Sequence, residues 1–137
     1  MSITLPPYAA ALGIIIEADG AGEDAPVLRM DFADGLSGRP GNLHGGAIAG
    51  LLDMAAWASM RAMLDAGEGP ARFKPIGITI DYLRGGKHRP TYARGRVTKV
   101  GSRVATVVVE AWQEERSKPI AAARLHFMLG RSEAAES

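Results

Sequence analysis

Two kinds of apolar patterning divide this chain. From His44 to about Leu64 no proline interrupts, and alanine, leucine and methionine dominate, which predicts one long helix. It is apolar nearly all round, so it is buried on most sides rather than lying on a surface. Elsewhere the period is two. Val27-Leu28-Arg29-Met30-Asp31-Phe32 alternates as a half-buried strand does, and Ile76, Ile78, Ile80 and Tyr82 alternate with Gly77, Thr79 and Asp81. Further strands are expected at Ile14 to Glu17, Thr91 to Val100, Val104 to Trp112 and Ile120 to Leu129.

The punctuation between these runs orders them. Pro7 to Leu12 reads as a short helix ending at Gly13, and Asp19 to Asp24 as the loop of a first hairpin. Ala33 to Asn42 is a Gly-, Pro- and Ser-containing loop, and Ala66-Gly67-Glu68-Gly69-Pro70 ends the long helix. Arg84 to Pro90, Gly101-Ser102 and Glu114 to Pro119 are short, so the last four strands are expected as an antiparallel meander. Gly46 and Gly50 are expected to let the helix approach another backbone closely. The fold class is α+β, a strand pair, one buried helix and four antiparallel strands, in a single domain over residues 1–137 without repeats. One layer of sheet cannot cover that helix on all sides, so at least a dimer is expected.

Composition narrows the function classes. The 137 residues are 47% hydrophobic with a formal net charge of +1, enough for a real core and not the charge of a nucleic-acid binder. There is no cysteine, so disulfides and thiolate chemistry are excluded. No apolar run is expected to reach the roughly 20 residues of a membrane span. Met1-Ser2-Ile3-Thr4-Leu5-Pro6-Pro7 lacks the marks of a signal peptide, which points to the cytoplasm. His44, His88 and His126 show no metal-ligand spacing, and no phosphate-loop or dinucleotide fingerprint is present, so neither metal nor nucleotide cofactor is expected.

The candidate chemistry lies in Gly41-Asn42-Leu43-His44-Gly45-Gly46-Ala47-Ile48-Ala49-Gly50-Leu51-Leu52-Asp53. Glycines opening a helix expose backbone N–H groups that favour negative charge. A carboxylate within an apolar helix is costly without a partner or a task. An oxyanion site beside an acid, base or nucleophile is equipment for breaking an acyl bond.

These residues resemble the hotdog-fold acyl-CoA thioesterases of the phenylacetic-acid-degradation (PaaI-like) type. The resemblance runs from about Leu12 to Leu129. It centres on Gly38-Arg39-Pro40-Gly41-Asn42-Leu43-His44-Gly45-Gly46 with Asp53 nine residues after His44. It continues in Ile78-Thr79-Ile80-Asp81-Tyr82-Leu83-Arg84 and in Val97-Thr98-Lys99-Val100-Gly101-Ser102-Arg103-Val104. It implies an antiparallel sheet wrapped around one central helix, and hydrolysis of an acyl-CoA in which coenzyme A is part of the substrate. Gly45 N–H would hold the thioester oxygen, and Asp53 would be general base or nucleophile. Nine residues of helix place His44 and Asp53 about 180° apart and about 13 Å along the axis. A site shared across a homodimer, Gly45 from one chain and Asp53 from the other, resolves that separation, and the protein is expected to work as a homodimer or as a dimer of dimers, a homotetramer.

The chain departs from the family in three places. Gly38 stands where many relatives carry Asn, Trp57 where some carry Ser or Thr, and Pro75 where others are polar. Asn42 is a candidate for the missing amide or for capping the helix. His44 reads as a loop anchor, or as the histidine of a hotdog hydratase or dehydratase acting on an enoyl-CoA. Gly46 serves packing or substrate. Trp57 is core, or shortens an acyl pocket to suit a short or aromatic group. Arg84, Lys87, Arg89, Lys99 and Arg103 are solvated charges or partners of coenzyme A phosphates, Arg84 and Arg103 first. A non-catalytic acyl-CoA-binding module and a purely structural assembly protein are the remaining alternatives.

Overall fold

The computed structural model describes residues 3–18, 25–67 and 72–130. Helix α1 (Pro7–Ala11) leads through Leu12 and Gly13, the latter at φ +72°, into strands β1 (Ile14–Ala18) and β2 (Val27–Met30). A 3-10 turn (Asp34–Leu36) precedes helix α2 (Gly45–Ala66), followed by β3 (Arg72–Tyr82), β4 (Thr91–Val100), β5 (Val104–Trp112) and β6 (Ala121–Gly130). The expected loops at Asp19–Asp24 and Glu68–Pro70 lie outside the described residues.

All six strands form one antiparallel sheet in the order β1-β2-β4-β5-β6-β3. It curls around α2 in the hotdog fold. The expected four-strand meander is corrected here. The strands β4, β5 and β6 do run as a meander, but β3 lies at the far edge beside β6. Leu83 N–H and Arg84 N–H both donate to Ile120 O, which ties the end of β3 to the start of β6. The chain then crosses to β4. Three strand spacings are about 14 Å, well within the reach of residues 83–90. A short connection therefore does not by itself make two strands neighbours.

The core lies between α2 and the inner sheet face. Leu51, Leu52, Ala55, Met60, Val107, Val109, Leu125 and Phe127 are buried, and each large side chain removed from water contributes about 1.5–3 kcal/mol. The helix rests chiefly on β4 and β5. Close backbone approach occurs at Gly95 of β4, where a Cβ would lie 3.1 Å from Ala55 O. At Gly46 and Gly50 the neighbours are side chains instead, of His44 and of Leu12 and Tyr8, which corrects the expected backbone contact there.

The expectation about apolar runs is also corrected. Gly45–Asp65 is long and apolar enough, by length and composition, to cross a membrane. Of its 18-residue apolar window, 67% is buried inside the molecule, as in the core helix of a folded domain.

One flank of this arrangement is left bare. Helix α2 makes few contacts with β3, so Ile78 and Tyr82, which share the inner face with Ile80, remain 47% and 54% exposed. On the helix, Ala49, Asp53 and Trp57 recur every fourth residue along the same flank and are only partly buried. Gly45 meets the Tyr82 ring and Trp57 meets Phe73, so the helix runs antiparallel to β3 with Asp53 between these two anchor points.

Candidate active site

The site begins in the loop before α2. Ser37 bridges to Leu43, Gly38 N–H donates to Asn42 O at 2.9 Å, and Asn42 N–H donates to Arg39 O at 2.8 Å. Gly41 turns the loop at φ +83°, a conformation glycine adopts without strain. A Cβ on Gly38 would lie 2.9 Å from His44 Cα. No asparagine fits there without moving backbone, so the departure at position 38 follows from the path of the loop. Turned to donate, the Asn42 amide reaches Gly41 O at 3.2 Å and Gly86 O at 3.3 Å. It holds the loop and does not cap the helix.

The cap is His44. Its extended backbone precedes the first helical residue, and its Nδ1 accepts from Gly46 N–H at 2.8 Å. That bond requires the lone pair on Nδ1, so a neutral ring carries its proton on Nε2. His44 O accepts from Ala47 N–H at 3.0 Å and from Ile48 N–H at 3.2 Å. Ile48 thus makes the first full helical bond, and of the four donors before it His44 N–H goes to Leu36 O at 2.8 Å, Gly46 N–H to His44 Nδ1 and Ala47 N–H to His44 O. Gly45 N–H is left, with no acceptor among the described residues. Tyr82 OH donates to Gly45 O at 2.9 Å.

A cavity of about 480 Å³ opens in front of this turn, lined among others by Arg39, Asn42, His44, Gly45, Tyr82 and Arg84. Asp53 is not part of it. Eight residues of helix separate Gly45 from Asp53, about 12 Å along the axis. Nucleophile and oxyanion donor must each come within about 3 Å of one reacting group, so one copy of α2 does not supply both. Asp53 is half-buried on the open flank with no hydrogen-bond or ion-pair partner among the described residues. Burial pushes its carboxyl pKa above the usual carboxylate range.

The other candidates are distributed unevenly. Trp57 packs its ring 5.8 Å from that of Phe73, at the edge of the core and one turn beyond Asp53. Gly46 supplies the capped N–H. Arg84 joins Gly45 in the cavity, and Lys87 Nζ lies 3.4 Å from the Asn42 side chain. Arg89 pairs with Glu114. Lys99 is the last residue but one of β4 and Arg103 precedes β5, at the opposite end of the strands from Gly45, so one chain does not bring them to the cavity. Of the other histidines, His88 stacks on Phe32 and His126 Nδ1 lies 3.1 Å from Thr106 Oγ1. Sequence reasoning passed over Tyr82 as a site residue. The available signal was a hydroxyl in the same inward register as Ile78 and Ile80, at the end of its strand.

With this geometry in hand, comparison with known proteins is decisive. The thioesterase superfamily model matches residues 40–120, which include the end of the loop, α2 and β3 to β5. The chain belongs to the thioesterase superfamily. Among solved structures, a phenylacetic acid degradation-related protein from Ralstonia eutropha JMP134 is similar at TM-score 0.78. It has 24% identity, covering 93% of this chain and 92% of that one. A point mutant of the phenylacetic acid degradation protein PaaI from Thermus thermophilus is similar at TM-score 0.75. It has 22% identity, over 90% of this chain and 99% of that one. A protein from Chromobacterium violaceum reaches 36% identity at TM-score 0.69, over 92% and 85% of the two chains. No curated protein matches the sequence.

Proposed function

We propose that this thioesterase-superfamily protein hydrolyses an acyl-CoA thioester in sites shared by two copies of the chain. One observation carries the reading: the Gly45 N–H and the Asp53 carboxylate, neither with a partner among the described residues, lie about 12 Å apart on one helix. Two copies related by a two-fold axis bring the Gly45 of each to the Asp53 of the other, making two equivalent sites. The bare flank of α2 and β3, and the outer edge of β3, are where a second copy fits, as a dimer or a dimer of dimers.

In each site Gly45 N–H donates to the thioester oxygen as negative charge develops there. Asp53 attacks the carbonyl carbon, displacing the thiolate to form a mixed anhydride that water then hydrolyses back to the carboxylate, or it takes a proton from a water that attacks the carbon directly and passes that proton to the leaving thiolate. The carbon–sulfur bond breaks, and free acid and coenzyme A thiol leave. The reaction consumes only water, so no cofactor enters the proposal. Arg39 and Arg84 at the cavity suit the phosphates of coenzyme A. Lys99 and Arg103 enter only by way of a second copy. Trp57, one turn from Asp53, fills volume where a long chain would run, favouring a short or aromatic acyl group. The engagement of His44 Nδ1 with Gly46 weighs against a dehydratase centred on His44.

The test is thiol release from short, long and aryl acyl-CoAs by wild type, Asp53→Ala and Gly45→Pro. Proline suits this first helical position, because the N–H it removes is unpaired and His44 is already extended at ψ 137°. Release by wild type that drops about 10²–10⁴-fold in both folded variants supports the reading. Equal release by Asp53→Ala overturns the mechanism. Saturable acyl-CoA binding without release replaces the enzyme with a binding module.

A further inference from the structure

The two peptide units that flank Gly45 Cα are both held by partners. In the unit before it, His44 O accepts from Ala47 and Ile48, while the N–H of Gly45 points free. In the unit after it, both polar ends are gripped by side chains. Gly45 O accepts from Tyr82 OH at 2.9 Å, and Gly46 N–H donates to His44 Nδ1 at 2.8 Å. Fixing the planes on either side of one Cα fixes its φ and ψ. The Tyr82 ring also stands over Gly45, 3.5 Å from where a Cβ would be.

We propose that Tyr82 is a positioning residue which, with His44, clamps the Gly45–Gly46 peptide and so aims the Gly45 N–H at the substrate oxygen. The inference rests on the thioesterase reading for its kinetic consequence, though not for the clamp itself. Glycine brings the widest backbone freedom of any residue to a donor that must not reorient during reaction. The clamp removes that freedom from outside the helix. The two grips reinforce each other, because a hydrogen bond to a peptide carbonyl polarises the unit and strengthens the donor at its other end. Tyr82 reaches the loop because β3 runs at the sheet edge beside β6. Had the strand been placed beside β4 as a meander requires, the hydroxyl would not meet Gly45.

Tyr82→Phe removes only the hydroxyl. Expected is a fall in kcat of about 10-fold with KM changed less than about twofold and an unchanged unfolding midpoint, since one interaction that acts in the transition state is lost. His44→Ala acts on the same peptide, so the double variant falls short of the product of the two single effects. His44→Asn, which keeps a capping acceptor, recovers most of the loss. Independently of activity, hydrogen exchange at the Gly46 amide speeds up about 10-fold in Tyr82→Phe. Unchanged Gly46 exchange, or a Tyr82→Phe effect confined to KM, overturns the clamp. If wild type releases no thiol while Gly46 exchange responds to Tyr82→Phe, the clamp stands and the thioesterase reading fails.

Discussion

Helix α2 has two flanks made of similar residues and treated in opposite ways. On the sheet side, Ala55 and Ser59 sit so close to β4 that only glycine is accommodated at position 95, where a Cβ would lie 3.3 Å from Ser59 Cβ. The one polar side chain there, Ser59, is 3% exposed and satisfied by its own helix, its hydroxyl donating to Ala55 O at 2.9 Å. On the β3 side, Ala49 and Trp57 bracket Asp53, a charged group that burial disfavours and no neighbour among the described residues compensates. A polar group answered within its own turn stabilises packing. One left unanswered on a flank the fold does not cover is what the proposed shared site answers with a substrate and a second copy.

The sharpest way to break this contrast is to separate the two halves of the site. Gly45→Pro and Asp53→Asn are each expected to lose activity about 10²–10⁴-fold alone. When the two chains are unfolded, mixed and refolded together, roughly a quarter of wild-type activity returns, because half the dimers are mixed and each of those holds one intact site. Absence of recovery in a preparation shown to contain mixed dimers would place both groups in one chain.

A charge on the bare flank tests what covers it. Ile78→Asp is expected to shift the protein to monomer by sedimentation velocity, with an unchanged far-ultraviolet spectrum and loss of thiol release. A desolvated, unpaired carboxylate at an interface costs several kcal/mol. An active dimer of this variant would move the interface elsewhere. The covered flank should respond in stability alone. Gly95→Val overpacks the helix against β4 and costs about 1–3 kcal/mol in urea unfolding, with activity per folded molecule kept.

The smallest effect concerns Asp53 itself. Burial raises its folded pKa, so the folded state favours the protonated carboxyl. Below the ordinary carboxylate range both states are protonated and Asp53 imposes no penalty. As pH rises through the raised folded pKa, ionisation costs stability. Asp53→Asn should therefore match wild type in acid and exceed it slightly at neutral pH, even as activity disappears. The wild-type rate should fall as pH drops through that same raised pKa. A variant less stable than wild type at neutral pH would mean that Asp53 has a partner in the assembled protein.

Much of this was legible along the chain. The apolar run from His44 predicted α2 to within two residues at its end, and strand-like runs between turn signals placed β4 and β5 at their observed bounds, because those signals are local. The Gly45 and Asp53 candidates were legible for the same reason, an unusual residue type in a strongly patterned element. The strand β3 was harder to place. Its alternation is as clear as that of β2, but Pro75 and a bulge at Ile76 belong to a sheet edge, and the following loop can reach either side.

By itself, then, the sequence determined the elements, their order and the buried helix, and it marked the candidates proposed for acyl chemistry, since periodicity and side-chain chemistry are carried residue by residue. Only the tertiary structure decided that β3 pairs with β6, that His44 rather than Asn42 caps the helix, and that Tyr82 reaches Gly45. It also decided which flank of α2 stays bare. Each of these depends on contacts between segments far apart in the chain, where several pairings satisfy the same local pattern and packing selects among them.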